Sequence, residues 1–119
     1  TPTGKPKKGN TMKEIKAYIK AMKREAVTRA LHTIEGLDGA SYSNVLGFGR
    51  GKENSSGYTP DYDITGASKH VKVEVVCEDA LEAEVVAAIH HAAHTGLRAD
   101  GRIFVSDVGR SIRIQEVPE

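Results

Sequence analysis

Two stretches of the chain combine glycine with cations in a way that suits an anion. The first is Gly47-Phe48-Gly49-Arg50-Gly51-Lys52. Alternate glycines let backbone N–H groups come close to a negative ligand, and Arg50 and Lys52 add charge. The run lacks the third glycine of a dinucleotide fingerprint and the Gly-Lys-Ser/Thr ending of a P-loop. Taken alone, it suits a hinge as well as a phosphate site. The second stretch, Thr95-Gly96-Leu97-Arg98-Ala99-Asp100-Gly101-Arg102, is another loop of glycine and arginine, and Arg113 offers a further positive group downstream. Separated cations flanked by glycines suit a polyphosphate better than a reader of base edges.

The remaining reactive side chains point to no chemistry of their own. His90 and His94 stand one helical turn apart, a spacing that suits a metal ion. No cysteine or carboxylate offers an obvious third ligand, so no metal is expected, and these histidines read as a solvated or interface face. Cys77 alternates onto an apolar strand face and reads as core. His32 falls near a helix end, where a cation is mildly favoured. No Ser-His-Asp or paired-carboxylate spacing stands out, and no catalytic residue is expected.

Composition bounds what can position these groups. A chain of 119 residues with 39% hydrophobic and 28% charged residues suits one globular domain. Aromatics are 5% and tryptophan is absent, so the core must be aliphatic and thin, and oligomerisation would help it. The net charge of +1 argues against a general nucleic-acid binder. Residues 1–11 hold Lys5, Lys7 and Lys8 and no acid, so the rest of the chain carries a small negative balance. This stretch of Lys, Gly, Pro and Thr reads as a disordered basic tail ahead of a domain over 12–119. One cysteine cannot form an internal disulfide, and no apolar run approaches a membrane span or signal-peptide core. A cytoplasmic location is the expectation.

Periodicity then places the elements. Glu14 to Lys20 alternates, with Ile15, Ala17 and Ile19 on one face, and reads as a half-buried strand. Helical spacing follows over Lys23 to Ile34 through Met22, Ala26, Val27, Ala30, Leu31 and Ile34, ending at Gly36 and Gly39. Ala40 to Phe48 reads as a strand, and Val71 to Cys77 is the clearest one. Asp79 and Glu82 give a D-x-x-E helix start. That helix runs through Leu81, Val85, Ile89 and Ala92 to Gly96. Arg102 to Ser106 reads as a fourth strand, and Ser111 to Gln115 as a short extended tail.

The order is therefore βαβ, a long loop, then βαβ, which predicts an α+β, ferredoxin-like βαββαβ sandwich. Two helices cover one face of a four-stranded sheet. Apolar residues recurring at alternate positions suggest that a partner covers the other, most simply in a closed homo-oligomer. Between Gly49 and Lys69 no pattern persists, and compact domains rarely keep so long a loop without a use. Tyr58 and Tyr62 within it suit contact anchors.

The span from Met12 to Gln115 resembles the PII signal-transduction family. The resemblance rests on Asn44-Val45-Leu46-Gly47-Phe48-Gly49-Arg50, on Val71-Lys72-Val73-Glu74-Val75-Val76, on Thr95-Gly96 with Asp100 to Val105, and on Ile112-Arg113-Ile114. It implies a homotrimer with adenine-nucleotide sites (ADP, AMP or ATP) in clefts between subunits. It also implies a T-loop between strands 2 and 3 that responds to ligand and docks on a protein target. Gly47, Phe48, Gly49 and Arg50 would line the cleft at the T-loop base, and Ser41 would sit near the base or ribose. Gly101, Arg102 and Arg113 would reach phosphate, with Arg102 replacing the family's usual lysine.

The chain also departs from the family pattern. Gly51 stands where a glutamine usually helps to hold Mg-ATP and 2-oxoglutarate. His70 stands where a lysine usually meets the γ-phosphate, and Gln115 replaces the usual final arginine. The position of the uridylylated tyrosine reads Asp63, with Tyr62 adjacent. These changes favour ADP or AMP over Mg-ATP with 2-oxoglutarate. Within the family the sequence looks most similar to the carboxysome-associated PII-like branch, which responds to bicarbonate. Arg50, Gly51, Lys52, Tyr58, Tyr62 and His70 would then serve as an anion site or as T-loop contacts. The implied target is an inorganic-carbon transporter or a carboxysome component. The alternatives are an ordinary nitrogen-regulatory PII protein that senses ATP, ADP and 2-oxoglutarate, and a metal-binding trimer of ferredoxin-like fold.

Overall fold

The computed structural model describes residues 11–45, 48–49, 59–60, 70–97 and 100–115. The expected tail lies almost wholly outside them. The elements follow the expected order: β1 (Met12–Lys20), a 3-10 turn (Ala21–Lys23), α1 (Arg24–His32), β2 (Ser41–Val45), β3 (Phe48–Gly49), β4 (Thr59–Pro60), β5 (His70–Glu78), a second 3-10 turn (Asp79–Leu81), α2 (Glu82–Ala93) and β6 (Gly101–Val108). The main sheet is ordered β2-β5-β1-β6, and all its pairings are antiparallel. This is the ferredoxin-like arrangement of two interleaved βαβ units. Short β3 and β4 form a separate two-stranded ribbon at the base of the long loop.

The core follows directly from the two periods. Ile15, Ala17 and Ile19 of β1 and Val71, Val73, Val75 and Cys77 of β5 point to one side of the two central strands. Val27 and Leu31 of α1, Ile34 just beyond it, and Val85, Ile89 and Ala93 of α2 close over them. Every one of these side chains is buried, and no polar side chain among the described residues is buried with them. At about 25 cal/mol per Å² of apolar surface, this single aliphatic layer is the main source of stability.

Several expectations are corrected. Met22 does not join the buried stripe: it lies on the 3-10 turn and is 69% exposed. The Asp79–Glu82 capping box does not form, because a 3-10 turn precedes α2 and neither turn nor helix has a side-chain cap. Asp79 instead lies 3.6 Å from Lys13, and its N–H donates to the Thr11 carbonyl. The second strand stops at Val45, and Phe48 pairs in the β3–β4 ribbon. The stretch from Ser111 to Gln115 forms no strand.

The open face also differs from expectation. The apolar alternation serves the helix side. The registers Glu14↔Val76, Lys16↔Glu74 and Tyr18↔Lys72, continued to Ser106, Phe104 and Arg102 of β6, leave a face of mixed charge studded with Tyr18, Val76 and Phe104. Phe104 is 50% exposed and meets Tyr18 edge to face, with ring centroids 6.2 Å apart.

Candidate functional site

The best-defined candidate site is the loop between α2 and β6. α2 ends at Ala93, and His94 leaves the helix with ψ 128°. The cause lies five residues downstream of Thr95. The Asp100 carboxylate accepts from the Thr95 N–H at 2.8 Å, the Gly96 N–H at 3.0 Å and the Thr95 hydroxyl. Lys20 Nζ stands 3.3 Å from the same carboxylate. The Leu97 N–H closes the turn on Thr95 Oγ1 at 3.0 Å. Carboxylates in loops commonly capture nearby amides in this way, and here the capture ties Asp100 to Thr95 and Gly96 just after the helix. The hydroxyl of Thr95, its N–H, the Gly96 N–H and the Lys20 ammonium hold the Asp100 carboxyl well below the usual carboxylate range, against some desolvation.

Gly101 follows at φ +115°, a left-handed conformation. A Cβ there would fall 1.6 Å from the Tyr18 carbonyl oxygen, so β6 reaches β1 this closely only through glycine. The tight entry sets Arg102 opposite Tyr18 on the open face, exposed. Beside them lies a cleft of ≈380 Å³, with walls that include Tyr18, Ile89, His90, Ala93, Arg102 and Ile103. His90 and His94 stand at this cleft with ring centroids 5.9 Å apart. Among the described residues no group of three ligating side chains could hold a metal ion. Cys77 packs in the core, and burial first, then the nearby acids, push its thiol pKa up.

The other predicted phosphate ligand lies elsewhere. Arg113 Nη2 is 3.8 Å from the Asp38 carboxylate, in the connection that leads into β2. Ser41, three residues after Asp38, opens β2 and is exposed. A hollow of ≈220 Å³ lies there, with Thr28, Leu37, Asp38 and Tyr42 among its walls. The Thr28 and Tyr42 hydroxyls hydrogen-bond across α1 and β2.

The sheet order separates the two localities. β2 and β6 are opposite edges of the sheet, with β5 and β1 between them. Ser43 and Arg102 lie on one cross-strand row, three strand spacings apart, about 14 Å. The structure therefore brings Gly101 and Arg102 together, and puts Ser41 and Arg113 on the far side. His70 opens β5 opposite Val45 and Lys20. Phe48 and Gly49 lie in the β3–β4 ribbon. Gly47, Arg50, Gly51, Lys52, Tyr58 and Tyr62 lie outside the described residues.

Three residues that shape these places were not singled out from sequence: Asp100, Lys20 and Asp38. The spacing of Thr95 and Asp100 around Gly96, a local capture pattern, was the available signal for the first. Nothing local marks Lys20 or Asp38, because their partners are distant in the chain.

A split ferredoxin-like sheet with a glycine-arginine stretch at one edge strand, and many residues between β2 and β5, defines a class of small α+β domains. Comparison narrows it. A family profile described as nitrogen regulatory protein P-II matches residues 12–117. The P-II protein of Azospirillum brasilense is 40% identical over 104 residues, covering 87% of this chain and 92% of its own. That of Rhodospirillum rubrum is 41% identical over the same length and coverage. The crystal structure of Arabidopsis thaliana PII bound to citrate superposes with a TM-score of 0.67 at 28% identity, over 88% of this chain and 84% of that one. The chain belongs to the P-II family. These relatives carry the nitrogen regulatory name, which matches the alternative to the carboxysome-associated reading.

Proposed function

We propose that the protein is a non-enzymatic, nitrogen-regulatory signalling protein that binds adenine nucleotides in clefts between the subunits of a homotrimer. It would pass the bound state to a protein target through the loop between β2 and β5. One observation carries this reading: Arg102 lies on the β6 edge strand, whereas Arg113 lies beside Asp38, in the connection into β2 at the other edge. A single phosphate chain meets both only where the β6 edge of one copy faces the β2 edge of another. Closed cyclic assembly supplies that juncture once per subunit. It also gives the exposed Phe104 and Val76 a partner.

The ligand preference follows from side chains. Gly51 offers no group to Mg-ATP or 2-oxoglutarate, and His70 stands where the family usually has a lysine. Loss of one charged hydrogen bond is worth about 1.5–3 kcal/mol, tenfold or more in affinity. ADP and AMP are therefore favoured over Mg-ATP with 2-oxoglutarate. The citrate held by the Arabidopsis relative fits a fold that accepts small polyanions.

The test is a calorimetric titration with AMP, ADP and Mg-ATP, each with and without 2-oxoglutarate and bicarbonate. Binding of ADP with little gain from 2-oxoglutarate supports the reading, and indifference to all three nucleotides removes it. A gain that depends on bicarbonate would instead favour the carboxysome-associated function, with an inorganic-carbon transporter or carboxysome component as target.

A further inference from the structure

We infer that Asp38 is an internal competitor for the nucleotide's phosphates: its carboxylate occupies Arg113 until a phosphate displaces it, and so lowers affinity most for the more highly charged nucleotides. The inference rests on the nucleotide reading given above.

The ground is the placement of three groups. Arg113 Nη2 lies 3.8 Å from Asp38 Oδ2, an ion pair without a hydrogen bond. The two side chains are 65% and 90% exposed, so the pair is solvated on both sides and opens readily. Ser41 stands three residues from Asp38, at the start of β2. The residues assigned to ribose and to phosphate thus flank a carboxylate. No other carboxylate forms a salt bridge with Arg113 among the described residues.

Two physical effects act in the same direction. A phosphate bound to Arg113 must first break its pairing with Asp38. Once bound, it stands within a few ångströms of the released carboxylate and is repelled. The first is the same for every nucleotide, whereas the repulsion grows with ligand charge, so the total penalty rises from AMP to ADP to ATP. Both are screened by salt, since neither carboxylate nor guanidinium is buried. Asp38 is in this sense a specificity-determining residue that acts by repulsion.

The experiment compares wild type with Asp38→Asn, an isosteric change at an exposed position that leaves the core untouched. Affinities for AMP, ADP and ATP are measured in low salt and in about 0.5 M salt, where the Debye length is only a few ångströms. Asp38→Asn should tighten ADP about 3- to 10-fold in low salt, tighten ATP more and AMP less, and lose most of the gain in high salt. Equal affinities, or weaker binding by the variant, would overturn the competition.

A second readout needs no nucleotide. Heteronuclear NOE values for the Ile112–Ile114 amides should fall in Asp38→Asn if the pair tethers this segment, and unchanged values would overturn the tether. A wild type that binds no adenylate overturns the nucleotide reading and the competition with it, while the NOE still reports the ion pair. Adenylate binding with no difference between the two proteins overturns this inference alone.

Discussion

At the scale of single residues, the loop before β6 rests on two choices that admit little substitution. Gly101→Ala would drive a Cβ into the Tyr18 carbonyl and strain a left-handed backbone, each costing on the order of 1–3 kcal/mol. Thermal unfolding of this variant should show a large loss, and a melting temperature within a degree or two of wild type would contradict the geometry. Asp100 gives a prediction with a definite sign. Its folded carboxyl is more acidic than the unfolded one, so its contribution is complete above the unfolded value, near pH 4. It is lost progressively as pH falls toward the folded value. The stability gap between wild type and Asp100→Asn should therefore be present at pH 7 and shrink below about pH 4. Chemical denaturation across that range measures it. A gap independent of pH would mean that the carboxylate charge is not what holds Thr95 and Gly96. The glycine at 101 was visible in the sequence as a candidate anion contact. Its need to clear a neighbouring strand was not, because that contact spans 83 residues of chain.

At the scale of elements, β1 and β5 were legible because each is a central strand buried on one face only, which writes a period of two into the sequence. β6 was read as five residues and runs to eight. It is an edge strand with most of its side chains exposed, so little alternation marks its ends. α2 was expected to continue to Gly96, but a side chain seven residues beyond its end captures the amides that follow it. The Asp79–Glu82 start signal was overridden in the same way, since Asp79 faces Lys13 across the end of the sheet. Local propensity lost to tertiary partners in both places. α2 itself is held to β1 and β5 by Val85, Ile89 and Ala93. Ile89→Ala should cost about 2–5 kcal/mol through lost burial and a residual cavity. Urea denaturation should show a lower midpoint with an unchanged slope.

At the scale of the whole molecule, the βαββαβ order was readable from element spacing, whereas the nature of the open face was not. A face of paired charges with a few exposed apolar residues looks like a solvated surface until its strand edges are taken into account. In the proposed trimer, Phe104 is buried at the contact, and Phe104→Lys should shift the protein toward monomer in light scattering. An unchanged trimer mass would exclude Phe104 from the interface. The central claim is that one nucleotide is held by Arg102 of one subunit and Arg113 of the next, and subunit mixing tests it most directly. Arg102→Ala and Arg113→Ala are purified separately, each binding ADP weakly, then unfolded and refolded together at equal amounts. Random trimers should regain native sites at about a quarter of their junctures, because a site is intact wherever the two altered residues both fall outside it. Recovery of ADP binding to that level is the predicted result, and a mixture that binds no better than its components would contradict the account.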